Sequence, residues 1–163
     1  MNTLPRSHWN ATRFSLEFIS LFALFFSAWL TVLRWKRLPA TIAIHFGFWG
    51  EPNSWGAKGW AAALPIITAS MYLLLTFLRS IPNSLNIPFN GTPGGQRRQR
   101  ALAVSLLDGI KCELVLMFSV LQWQSLNVVL GKQSALLWWI LPASLSVIVA
   151  TIILFIVIMY RNR

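Results

Sequence analysis

Apolar positions fall in long blocks along this chain, and polar positions collect between them. The first block covers residues 13–33, rich in Phe, Leu and Ala, and stops at Arg34-Trp35-Lys36-Arg37. A second covers residues 60–78 and is closed by Arg79. A third, residues 99–130, mixes apolar with polar side chains, and a fourth covers residues 134–160. A helix of about 20 residues crosses the hydrocarbon core of a bilayer, so the pattern predicts four transmembrane helices. Pro65, near the start of the second block, predicts a kink or a late helix start. Between the first two blocks the period changes. Ile42, Ile44 and Phe46 alternate with Ala43 and His45, the period of an extended segment. Gly47, Gly50, Pro52, Gly56 and Gly59 then punctuate the chain with turns, and Trp49 and Trp55 supply rings suited to headgroup level. The expected fold is an all-α integral membrane protein: four transmembrane helices with an ordered, partly extended loop between helices 1 and 2. Its expected divisions are an N-terminal arm (1–12), a helix-loop-helix unit (13–79), a basic Pro/Gly-rich loop (80–98) and a second transmembrane helix pair (99–163).

Composition agrees with lipid as the solvent. Hydrophobic residues make up 56% of the chain and charged residues 11%, against about 25% charged in soluble domains. The net charge of +10 sits beside the apolar blocks, where anionic headgroups attract it, and no nucleic-acid partner is expected. Arg6, Arg13, Arg79, Arg97, Arg98, Arg100, Lys111, Arg161 and Arg163 outnumber Arg34, Lys36, Arg37, Lys58 and Lys132 on the other side. The positive-inside rule then places both termini in the cytoplasm, the protein in the inner (plasma) membrane and the 38–59 loop outside. The first block is too long for the apolar region of a signal peptide and is read as a retained helix.

Polar groups inside the apolar blocks are the candidate intramembrane residues: Asp108, Lys111, Glu113, Gln122 and Asn127. Asp108 and Lys111 stand three apart, share a helix face and are expected to pair; a proton or ion relay is the alternative reading. Glu17, one turn into the first block, is expected to reach headgroups or water. In the loop, His45 and Glu51 stand six apart across two glycines. The expected role of His45 and Asn53 is to hydrogen-bond the turn backbone while the tryptophans seat the loop on the bundle. A transition-metal site needs three or four ligands, and His45, Glu51 and Asn53 are too few, so neither a metal nor a cofactor is expected. Cys112 is the single cysteine, which excludes an internal disulfide.

Leu38-Pro39, Ile42, His45-Phe46, Gly50-Glu51-Pro52-Asn53, Trp55-Gly56 and Lys58 resemble the signature of the DUF1648 membrane domain, also found in SdpI-type immunity proteins. The resemblance covers about residues 14–78. It departs at Gly47, where the family often has Asn or Asp, and at Ala43, where it often has Pro, so a polar partner near His45 is missing. What the resemblance implies is a non-enzymatic multi-pass protein with an immunity- or signalling-like role. It would bind a peptide or membrane-protein partner through His45, Phe46, Gly50, Glu51, Pro52, Asn53, Trp55, Gly56 and Lys58. A small transporter, channel or accessory subunit using Asp108, Lys111, Gln122 and Asn127 is the second expectation, and an intramembrane enzyme using His45 and Glu51 the third.

Overall fold

The computed structural model describes residues 6–81 and 93–161, with side chains for residues 11–81 and 94–161. Most of the predicted 80–98 loop and the first five residues of the predicted arm lie outside these. Four helices and one hairpin follow in order: α1 (Arg6–Arg34), β1 (Thr41–Phe46), β2 (Pro52–Ala57), α2 (Ala63–Ser80), α3 (Pro93–Val129) and α4 (Ile140–Arg161). Short 3-10 turns at Trp35–Arg37 and Lys58–Ala62 join the hairpin to its flanking helices. The expected all-α fold is therefore corrected at one point: the extended piece around Ile42–Phe46 has a strand partner.

Three segments are long and apolar enough to cross a membrane: Ala11–Arg37, Lys58–Ser80 and Ile140–Arg161. Four were expected. The departure is α3, whose 37 residues carry Asp108, Lys111, Glu113, Gln122, Gln124 and Asn127. The physical reason for that polarity is position. α3 lies at the centre and packs against α1, α2 and α4, so its polar groups meet protein on several sides, as polar groups in a membrane bundle must.

The polar side chains form ladders that give each neighbour a direction. Along α1, Arg13 donates to Ser105 (3.4 Å), Lys111 to Glu17 (2.6 Å), Ser119 to the Ala23 carbonyl (3.0 Å), Gln122 to Thr31 (2.7 Å) and Arg34 to Asn127 (2.7 Å). Both numbers rise together, so α1 and α3 are parallel. Gln122 also donates to the Ala61 carbonyl (3.0 Å) and Lys111 to Thr76 (3.3 Å), which makes α2 antiparallel to α3. Gln99 donates to the Met159 carbonyl (2.9 Å) and Thr151 to Glu113 (2.6 Å), so α4 is antiparallel as well. On α1 the contact face is a stripe of small side chains, Ser20, Ala23, Ser27 and Thr31, each at most 5% exposed. Small residues at three- and four-residue spacing let two helices approach closely in lipid.

The charged groups at the end away from the hairpin bear on two expectations. Lys111 does not pair with Asp108. Its ammonium, 1% exposed, is taken by Glu17 and Thr76 and lies 4.9 Å from the Tyr72 ring centroid. Glu17, expected to reach headgroups or water, is engaged by the bundle while 28% of its side chain stays exposed. It accepts from Lys111, from Arg79 (3.4 Å) and from the Tyr72 hydroxyl. Asp108 instead faces Arg79 Nε at 3.3 Å and Arg13 Nε at 3.6 Å. The reason is desolvation: a lysine sunk between three helices needs an anion on the facing helix, and Glu17 is the one α1 supplies.

At the opposite end, α3 stops in a Schellman motif. Gly131 is left-handed (φ 70°), with Lys132 N–H donating to the Asn127 carbonyl (2.8 Å) and Gly131 N–H to Val128 (3.0 Å). The connector then docks on the hairpin. Leu136 N–H donates to the Gly50 carbonyl (2.8 Å) and Leu137 N–H to Gln124 Oε1 (2.7 Å). α4 begins at Ile140 and not at the expected residue 134. Pro142 supplies the reason, since a helix begun at 134 would press its ring on the Trp138 carbonyl. Pro65 likewise sits in the first turn of α2, where its missing N–H costs nothing, so the late start is the outcome.

Two outcomes follow from this packing. Glu17→Gln, which strands the Lys111 ammonium, should lower stability by about 3 kcal/mol, whereas Glu17→Leu with Lys111→Met should recover most of it; unfolding in detergent measures both. Gly50→Ala should cost about 1–2 kcal/mol for its left-handed backbone alone and open the connector to protease, because a Cβ there would meet the Leu136 carbonyl oxygen at 2.2 Å. Unchanged proteolysis at residues 131–139 would count against the docking.

Candidate functional site

The hairpin is built from irregular pairing. β1 and β2 run antiparallel with Thr41 opposite Ala57, Ile42 opposite Gly56, Ala43 opposite Trp55, His45 opposite Ser54 and Phe46 opposite Pro52. The register slips twice, leaving Ile44 and Asn53 outside the pairs. Such bulges re-aim side chains, and both slips have a local consequence. Ile44 folds over Gly56, where a Cβ would come within 2.9 Å of its Cδ1. Asn53 reaches across to His45, with Oδ1 2.6 Å from Nδ1. The oxygen accepts only, so Nδ1 is the donor of this bond. Sequence reasoning found no polar partner for His45 at position 47; Asn53 fills that place from the other strand.

The tip closes with Gly50 N–H donating to the Gly47 carbonyl (3.0 Å) and Gly47 N–H to Glu51 (2.8 Å). Gly50 then takes φ 85°, the left-handed glycine that follows a turn of this kind in hairpins. The Glu51 carboxylate lies against Gly47 so closely that a Cβ there would meet Oε1 at 2.1 Å. Trp49 meets Phe48 edge-on at 4.9 Å and Trp138 of the connector at 5.6 Å. At the base, Lys58 N–H donates to the Ala40 carbonyl (2.9 Å) and its ammonium stands 5.2 Å over the Trp35 ring.

Ile42 and Ala43 are 3% exposed, and Ile42 joins Leu30, Leu38, Ala61 and Leu126 in the core that seats the hairpin. Beside that core lies a cavity of about 370 Å³. Ile42, Ile44, His45 and Phe46 line it from the hairpin, Trp60, Leu64 and Ile67 from the α2 side, Leu121 and Gln122 from α3, and Leu136 and Leu141 from the connector and α4. Only His45, Gln122 and Ser125 bring polar side chains to it.

The structure thus splits the residues singled out in the sequence into groups. His45, Asn53 and Phe46 meet at the cavity edge or beside it. Glu51 and Trp55 lie exposed, Pro52 opens β2, and Gly50, Gly56 and Lys58 hold the hairpin's shape. Gln122 and Asn127 tie α3 to α1 at the hairpin end, while Asp108, Lys111 and Glu113 belong to the far half of α3. Sequence reasoning missed Arg13, Tyr72 and Arg79 around Glu17 and Lys111, and it missed Trp138 at the hairpin. Glu17 inside an apolar block was a visible signal for the first group, since such a carboxylate asks for a cation. Among the described residues, no three His, Cys, Asp or Glu side chains gather into a set able to hold a metal.

No curated protein and no solved structure matches the chain. Residues 22–69, which run from mid-α1 through the hairpin into α2, match the family model described as a domain of unknown function, DUF1648; the hairpin lies at the centre of the matched stretch.

Proposed function

We propose that the chain is a non-enzymatic, four-span membrane protein of DUF1648 type whose hairpin face docks a peptide or protein partner. The single observation carrying this reading is the fixed presentation of that face. The tip is anchored by the Gly50–Leu136 hydrogen bond, yet Phe48, Trp49 and Trp55 are 79%, 63% and 59% exposed. Preorganised aromatic side chains with few rotatable bonds are effective binding anchors. Four spans rest on the alternating directions of the helices and on the length of α3. The inner (plasma) membrane, with cytoplasmic termini and the hairpin outside, rests on the distribution of Lys and Arg. An immunity- or signalling-like role rests on the motif resemblance.

The transporter reading draws less support. Lys111, Gln122 and Asn127 are each spent on links to α1 or α2, and Asp108 on two arginines. The enzyme reading, which joins His45 to Glu51, also draws less support, since the imidazole bonds to Asn53 instead.

The test is cross-linking in native membranes followed by purification in detergent. Trp49→Ala, Trp55→Ala and Glu51→Gln should each lose a discrete cross-linked species by about tenfold or more, in line with hot-spot losses above 1.4 kcal/mol; expression should stay at the parental level in all three and melting in Trp55→Ala and Glu51→Gln, whereas Trp49→Ala also gives up the Trp138 contact and should melt lower. Identical cross-linked profiles for all three variants and the parent would refute the docking face.

A further inference from the structure

The cavity beneath the hairpin is separate from the exposed tip, and its occupant follows from where it opens. α2 and α4 each pack on α3, and the cavity lies in the cleft left between them. Its walls at Leu64, Ile67 and Leu141 belong to the segments apolar and long enough to cross a membrane. They continue into side chains that face outward, with Ile66 63%, Ile67 41% and Leu141 44% exposed. The cavity is therefore continuous with the lipid-facing surface. At about 370 Å³ it falls within the range of small-ligand sites, and an apolar recess open to lipid is filled by what surrounds it.

The roof adds a polar demand. His45 lines the cavity, and its Nδ1 proton is committed to Asn53. In the neutral ring Nε2 is then the atom left to accept a hydrogen bond, at the hairpin end of the groove. We infer that the groove holds one acyl chain of a membrane lipid whose head group donates a hydrogen bond, an amine-bearing phospholipid being the fitting class, with His45 as the acceptor. A second recess provides the contrast. Phe22, Ala23, Phe26, Leu116, Ser119, Val120 and Trp123 line about 290 Å³ between α1 and α3, and no histidine is among them. That recess should take any chain without preference for its head.

The experiment uses the whole chain in nanodiscs containing phosphatidylethanolamine or phosphatidylcholine with a photoactivatable diazirine on the acyl chain, and adducts are mapped by mass spectrometry. Adducts on Ile67, Leu121 and Leu141 should exceed those on Phe22, Phe26 and Leu116 at least threefold with the ethanolamine lipid. The excess should shrink with the choline lipid, whose methylated head has no N–H to give. Ala63→Phe should fill the groove and abolish the excess; Ser125→Leu serves the same purpose if that variant fails to melt cooperatively. His45→Ala should keep adducts in the groove but equalise the two lipids. Even labelling of both recesses, an excess that survives a folded groove-filling variant, or equal labelling by the two lipids in the parent would overturn the inference. None of these readings depends on a partner at the hairpin tip, whose cross-linking the groove variants should leave unchanged.

Discussion

Everything in this bundle is constrained by the Lys111 ammonium. It sits 1% exposed between three helices, in a chain whose surroundings are apolar, and an isolated charge there is among the costliest groups a protein can bury. It is tolerated because all of its bonding capacity is met from two other helices: Glu17 on α1, Thr76 and the Tyr72 ring on α2. That requirement fixes the vertical offset of α1 and α2 against α3. A slide by one turn would strand the ammonium. Above it, the small stripe on α1 brings the backbones close enough for Ser119 to reach the Ala23 carbonyl, and Gln122 and Asn127 continue the ladder.

With α3 fixed at the centre, the hairpin end takes its form from shortage of space. Ala61, Leu126, Leu38 and Ile42 make a small core, and consecutive Ile42 and Ala43 of β1 are both buried, so the strand is covered on both faces there. The connector from α3 to α4 then closes over the tip, its backbone so near Gly50 that no side chain fits there. The hairpin and the connector meet at a backbone hydrogen bond and at the Trp49–Trp138 contact. A hairpin of two strands alone is only marginally stable; this one is held from below by helices and from the side by the connector.

Some errors of reading from the sequence are instructive. Asp108 and Lys111, three apart on one helix, looked like a pair; each in fact bonds to other helices, because a central helix has facing partners that spacing along one chain does not reveal. Hydropathy carries the fourth block back to residue 134, whereas Pro142 within it argues for a later helix start. Ser20, Ala23, Ser27 and Thr31 form a small-residue stripe in a Phe-rich block, a packing signal legible in the sequence. By contrast, nothing local announced that Asn53 would serve His45, since that depends on a register slip between strands.

The sequence by itself determined the solvent, the helical blocks, the extended stretch at Ile42–Phe46 and the DUF1648 motif, because hydropathy, backbone period and glycine placement act over a few residues at a time. Only the tertiary structure decided which carboxylate neutralises Lys111, which strand partners β1, where the connector lands and that a recess remains under His45. Those outcomes depend on side chains separated by up to 94 positions, brought together by packing whose offsets no short window of the chain contains.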